Sequence, residues 1–138
     1  MAIKGAIPMR SGDVFPHGCF VVGEVTPMRD FDRSTREQAV QAVDRETGEL
    51  VWTVDVVDAD PEARDKTVRV KITAPQQPVP PAAMDGAPFR PVEFENLTAT
   101  PYVATMASGR GKLTWSFRAT GMHAPKAAAM AAGNGKAG

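Results

Sequence analysis

Apolar and polar positions alternate with a period of two along most of the chain, the spacing of strands that turn one face to a core. Cys19 to Met28 predicts a first strand, bent or bulged at Gly23. Gln38 to Asp44 and Leu50 to Asp58 are joined by Arg45-Glu46-Thr47-Gly48-Glu49, a short glycine-bearing connection that predicts a hairpin. In its second arm Leu50, Trp52, Val54 and Val56 share the core face. Thr67 to Ala74 alternates cleanly, with Val68, Val70 and Ile72 on one side and Thr67, Arg69, Lys71 and Thr73 on the other. Val92 to Ala104 begins with Val92 and Phe94 in phase, then shifts at Leu97 and Ala99, which implies a β-bulge near Glu95-Asn96. After a turn at Ala107 to Gly111, Lys112 to Thr120 is the clearest strand. Leu113, Trp115, Phe117 and Ala119 point inward there, and Lys112, Thr114, Ser116, Arg118 and Thr120 outward.

The segments between these runs are of other kinds. Arg29 to Glu37 is polar and without alternation, a loop; residues 58–65 form a charged turn. Pro75 to Pro91 holds six prolines and one glycine, which excludes a central strand and predicts a long connection. The last 16 residues are small, Ala/Gly-rich and carry only Lys126 and Lys136, a composition too poor in apolar side chains to order itself. The chain is therefore expected to form one all-β domain over residues 1–122, followed by a disordered tail over 123–138. Five or six twisted strands with a kinked first strand, a hairpin and a late long connection suit a small OB-fold-like Greek-key barrel. A β-sandwich is the alternative.

Composition narrows the functional classes. At 138 residues, 43% hydrophobic and 23% charged, the chain is of ordinary globular make-up and long enough to bury one core. No apolar run approaches the ~20 residues of a membrane span, and the N-terminal stretch has no signal-peptide core. A single cysteine, Cys19, fits a reducing compartment, so a cytoplasmic location is expected. Basic and acidic residues balance at 16 each. They are unevenly placed: Asp55, Asp58, Asp60, Glu62 and Asp65 face Arg64 alone, whereas from Thr105 to Met122 the only charges are Arg110, Lys112 and Arg118. A neutral total thus conceals an acidic and a basic region.

Catalytic signals are missing from the sequence. His17 and His123 have no cysteine or histidine at metal-ligand spacing, which argues against a zinc site. Cys19 lies in an apolar strand and reads as a small buried hydrophobe. Gly109 to Thr114 and Gly133 to Ala137 lack phosphate-loop spacing. The acidic run has no calcium-loop pattern. The expectation is a non-enzyme with no metal and no cofactor.

Arginine and lysine on open strand faces, with a few aromatics, are what the pattern leaves. Arg69 and Lys71 project from one strand, Lys112 and Arg118 from another, while Arg29, Arg33 and Arg36 bracket Phe31 in the first loop. Proteins that hold single strands join a positive groove to aromatic faces on which bases stack. Phe31, out of any apolar alternation, is the first stacking candidate, with closure of one end of the barrel as its equal alternative, and Tyr102 is the second; Trp52, Phe94, Trp115 and Phe117 fall in phase with the core.

The runs DFDRSTREQAVQAVDRETGELVWTVDVVDADPEARDKTVRVKITAP, PVEFENLTATPYV and GRGKLTWSFRATGM resemble small proteins of actinobacterial plasmids and integrative conjugative elements. These are the plasmid replication, integration and excision activators, and the resemblance spans residues 1–122. VRVKITAPQQP, PVEFENL and GKLTWSFRATGM are also similar in order to the OB-fold single-strand DNA-binding proteins of filamentous phages and conjugative elements. By position, that resemblance implies a DNA-facing surface at Arg69, Lys71, Arg110, Lys112 and Arg118. The phage proteins are richer in exposed tyrosines, whereas Tyr102 is this chain's one tyrosine. Together these readings imply a single-stranded DNA-binding protein of a mobile element, working in replication, excision or transfer. The phage resemblance allows a homodimer, and the partners would be a helicase, relaxase or integrase. A regulatory activator of element genes and a protein–protein adaptor are the alternatives, although no helix-turn-helix pattern is visible.

Overall fold

A computed structural model of the chain describes residues 5–30, 32, 34–35, 37–64, 66–83 and 89–125. The alternating runs become strands close to where their periodicity places them. β1 spans Ile7–Pro8, β2 Cys19–Pro27, β3 Val51–Asp58, β4 Thr67–Thr73, β5 Arg90–Glu95, β6 Thr98–Thr105, β7 Gly111–Ala119 and β8 Gly121–His123, with one helical turn, α1, at Ser11–Val14. Among the described residues no helix is long and apolar enough to cross a membrane. The strands lie in one curled, open sheet, a half-barrel, in the order β1-β6-β7-β4-β3-β2-β5-β8.

Eight strands replace the five or six expected, for two physical reasons. β1 and β8 are edge pieces of two and three residues, too short to carry a periodic signal. β5 and β6 are one continuous run divided at Asn96, which adopts φ 51°. The pairs Glu95↔Gly121 and Thr98↔Arg118 leave two residues on each strand between them, so there is no extra residue and no bulge. Instead both strands of the ribbon change phase together: Phe94, Leu97 and Ala99 are buried on one, while Ala119 is buried and Met122 half-buried on the other. The kink is tied by the Thr120 amide donating to Glu95 O at 2.9 Å and Asn96 Nδ2 donating to Thr120 Oγ1 at 2.8 Å.

The true bulge is in β2, at the glycine where the sequence predicts it. Val22 pairs with Asp55 and Thr26 with Thr53, so residues 23–25 stand opposite Val54 alone, and Gly23 takes φ 71°. The predicted 45–49 connection does turn the chain, with Gly48 N–H donating to Asp44 O at 2.8 Å. Its first arm is not a regular strand: 38–44 makes isolated bridges, Arg29↔Gln41 and Val43↔Leu50, shared between two neighbours.

The core lies on the concave face. Val54, Val56, Val70, Ile72, Val92 and Ala119 are at most 1% exposed. Phe15, just after α1, plugs this face, its ring centroid 6.4 Å from those of both Phe94 and Phe117. Trp52 is buried, with Nε1 donating to Ala74 O at 3.0 Å. Trp115 and Leu113 depart from the expected inward placement: they are 44% and 62% exposed. β4 and β7 pair in parallel over only three rungs, Val70↔Phe117, Lys71↔Arg118 and Ile72↔Ala119. N-terminal to Phe117, β7 keeps its β6 pairing but no longer pairs with β4, so the inward phase at Trp115 and Leu113 opens to solvent.

The positive φ at Asn96 makes a direct test. A β-branched residue in the left-handed region costs about 1–2 kcal/mol. Asn96→Val should lower the urea midpoint accordingly, whereas Asn96→Gly, free of that strain, should lose only the Thr120 hydrogen bond.

Candidate nucleic-acid interface

The pleat alternation of β4 and β7 sets the outward side chains. Because Val70, Ile72 and Ala119 go into the core, Lys71 and Arg118 must stand side by side on the other face, in direct register. Burial lowers the Lys71 pKa below its ordinary 10.5, and the neighbouring Arg118 charge lowers it further. Lys71 has no acidic partner among the described residues. Arg118 does: Nη1 lies 3.2 Å from Asp44 Oδ2, and that carboxylate is only 10% exposed. Arg69 is likewise tied, with Nε 2.9 Å from Asp55 Oδ1 across the β3–β4 pair, and this hydrogen-bonded ion pair raises its pKa.

Where β4 and β7 part, an open cleft of about 750 Å³ forms. Arg69, Lys71, Tyr102 and Lys112 line it together, so four of the predicted contacts converge there and Arg118 adjoins them through Lys71. Tyr102 is 48% exposed and sits across from Thr114 on the hairpin arm. Arg110 is exposed in the turn that closes the arm, where its carbonyl accepts from the Met106 amide at 2.8 Å, and it does not line the cleft. Arg29 also stays apart from it, Nη2 donating to Thr35 O at 2.9 Å beyond the end of β2. Phe31, Arg33 and Arg36 lie outside the described residues.

The residues that sequence reasoning passed over are Trp115 and Arg64, which also line the cleft. Trp115 was masked by perfect alternation with Phe117, and Arg64 by its acidic neighbours. Among the described residues three acids share the walls, Asp13, Asp58 and Asp60. Each is held by a backbone amide of its own turn: Arg10 N to Asp13 at 3.1 Å, and Asp60 N to Asp58 and Glu62 N to Asp60 both at 2.9 Å. A hollow of about 830 Å³ beside the β5–β6 kink is lined by one cation among the described residues, Arg10, against Asp13 and Glu93.

Other chemistry is sparse. Cys19 is buried, its Sγ donating to Val92 O at 3.6 Å, and burial pushes the thiol pKa up to about 12, which keeps it protonated. His123 lies between Glu93 and Glu95, at 3.4 and 3.5 Å. Among the described residues no group of three His, Cys, Asp or Glu is disposed to hold a metal ion. No family model, no curated protein and no solved structure matches the chain.

Lys71 and Asp44 give two measurable consequences. A lysine with a lowered folded pKa opposes folding while charged, and that cost is relieved as pH rises through the folded value toward 10.5. Lys71→Gln should therefore raise stability slightly at neutral pH, as read in urea melts. The advantage should shrink in melts at alkaline pH. Asp44→Asn keeps an acceptor for the Glu46 amide, now 2.9 Å from Oδ1, but removes the Arg118 ion pair. It should cost about 0.2–1 kcal/mol in urea melts.

Proposed function

We propose that this protein is a non-enzymatic, largely sequence-independent single-stranded DNA-binding protein of a mobile element, supporting its replication, excision or transfer in the cytoplasm. The observation that carries the reading is the rung joining Lys71 to Arg118: two cations held together, one of them partly desolvated and without an acidic partner among the described residues, at a cleft that Lys71 lines with Lys112 and the exposed ring of Tyr102. A phosphate between Lys71 and Arg118 would relieve their repulsion, and the ring offers a sequence-blind surface for a base.

The strand pairings support an OB-type reading of the fold. β2, β3, β4 and β7 follow one another in the sheet; the bent β5–β6 run pairs with β2 through its first half and with β7 through its second. Taken as a single strand, that run makes five strands of an OB-type barrel, whose open face is a common site for oligonucleotides. The association with plasmids or integrative conjugative elements rests on the sequence resemblance alone, as do a homodimer and the helicase, relaxase or integrase partners.

A second reading, an activator or adaptor that works through a protein partner, draws on the zero net charge and on Val103 and Leu113, which stand 70% and 62% exposed on the β6–β7 arm.

Fluorescence anisotropy of labelled oligo-dT and of a duplex of equal length, over a salt series, tests the two. Binding should favour the single strand and weaken with salt at a log–log slope of about −0.7 per phosphate contact, near −3 for four contacts. Lys71→Gln should flatten that slope by roughly one contact. Absence of single-strand binding at low salt overturns the proposal, and tight sequence-selective duplex binding moves the assignment to a regulator.

A further inference from the structure

We infer that the cleft between β4 and β7 is a nucleobase site in which Trp115 is the stacking platform; this rests on the single-strand reading and names the subsite that would hold a base. Four observations converge on it. The first is exposure: along the core-facing phase of β7, Ala119 is buried, Phe117 half-buried and Trp115 44% exposed, so the indole stands where the core runs out into the open cleft. A tryptophan with that much surface in water, at the rim of a hollow and unpaired with any other ring among the described aromatic contacts, has a face to offer.

The second is the floor. Val68, Phe15 and Phe117, buried or half-buried, line the same cleft together with its charged side chains, the mixed apolar and polar lining of a small-ligand site. The third is charge. Arg64, Lys71 and Lys112 line the cleft with no hydrogen bond or ion pair to any acid among the described residues, while its three acids are engaged by their own turns. Unpaired cations around an apolar, aromatic-rimmed floor complement a ligand that is flat and apolar in one part and anionic in another, which is the make-up of a nucleotide in a single strand. The fourth is topology. Tyr102 and Trp115 stand on neighbouring strands of one arm, where Pro101 pairs with Trp115 and Tyr102 with Thr114, so both rings are carried on one element. Their phases are opposite, Trp115 on the core side and Tyr102 on the outer side, and both nevertheless line the cleft. A strand of nucleic acid entering between β4 and β7 would meet an aromatic ring from each face of the arm.

The two tryptophans make the test specific, because Trp52 is buried and hydrogen-bonded whereas Trp115 is open. Oligo-dT titrated into the protein should quench the exposed part of the tryptophan emission. Trp115→Phe should lose most of that quenching while keeping most of the affinity for labelled oligo-dT, since a phenyl ring still stacks. Trp115→Ala should lower affinity roughly 5- to 160-fold, the span of about 1–3 kcal/mol for one stacked base. Lys112→Ala should weaken binding and reduce its salt slope, with the quenching at saturation unchanged. Undiminished affinity in Trp115→Ala, with no quenching in the parent protein, overturns the base site and leaves the single-strand reading standing. No binding of oligo-dT by the parent protein overturns both. Tryptophan emission that shifts with protein concentration, together with self-association lost in Trp115→Ala by sedimentation, assigns the cleft to a second copy of the chain and overturns the base site as well.

Discussion

Three rungs of parallel pairing, from Val70, Lys71 and Ile72 to Phe117, Arg118 and Ala119, join the β2–β3–β4 meander to the long ribbon made by residues 90–123. The two outer rungs put Val70, Ile72 and Ala119 at the centre of the core, each with no measurable exposure. Alternation then leaves no freedom for the middle one. If the neighbours above and below face inward, Lys71 and Arg118 face outward together, at a spacing where like charges on paired strands oppose each other. The repulsion is built into the same backbone hydrogen bonding that completes the core. Apolar burial of the Val70 and Ile72 side chains, at about 1.5–3 kcal/mol each, outweighs it easily.

The acids around this rung limit the repulsion without removing it. Asp44 approaches Arg118 from the end of the 38–44 segment, and Asp55 holds Arg69 from the adjoining strand. Lys71, between them in the sheet, is left with desolvation and a cationic neighbour. The face is therefore poised between neutralised and charged, a state that favours an added anion more than a fully paired surface would. Arg110 and Arg29, which are farther from this rung, carry less of the argument than the sequence alone assigned to them.

What the sequence made legible was whatever depends on local alternation. Val68, Val70 and Ile72 against Arg69 and Lys71 define β4 without any tertiary knowledge, and the Gly23 bend needs only a glycine within an apolar run. The phase change at Leu97 was equally visible, but a change of phase on one strand has two physical solutions. An inserted residue and a left-handed kink shared by both strands shift the pattern alike; only the pairing of Glu95 with Gly121 separates them. Trp115 was illegible for a related reason. Its strand keeps the same period whether or not a layer lies opposite, and the end of the β4–β7 contact after three rungs is a property of two segments more than forty residues apart. The plug at Phe15 was also missed, since one aromatic between Val14 and Pro16 has no periodicity to announce it.

The lateness of β7 in the chain has a consequence for how this protein is made. β4 is complete by Thr73, yet the partner for its open edge is not finished until Ala119. On the ribosome, where synthesis runs at about 5–20 residues per second, the meander therefore waits several seconds with that edge unpaired. An edge carrying Val68, Val70 and Ile72 would be a template for another chain's strand. The outward Arg69 and Lys71 of β4 stand on that same edge throughout the wait. Charges that later adjoin the cleft thus first stand where a gatekeeper charge discourages strand-to-strand pairing of nascent chains.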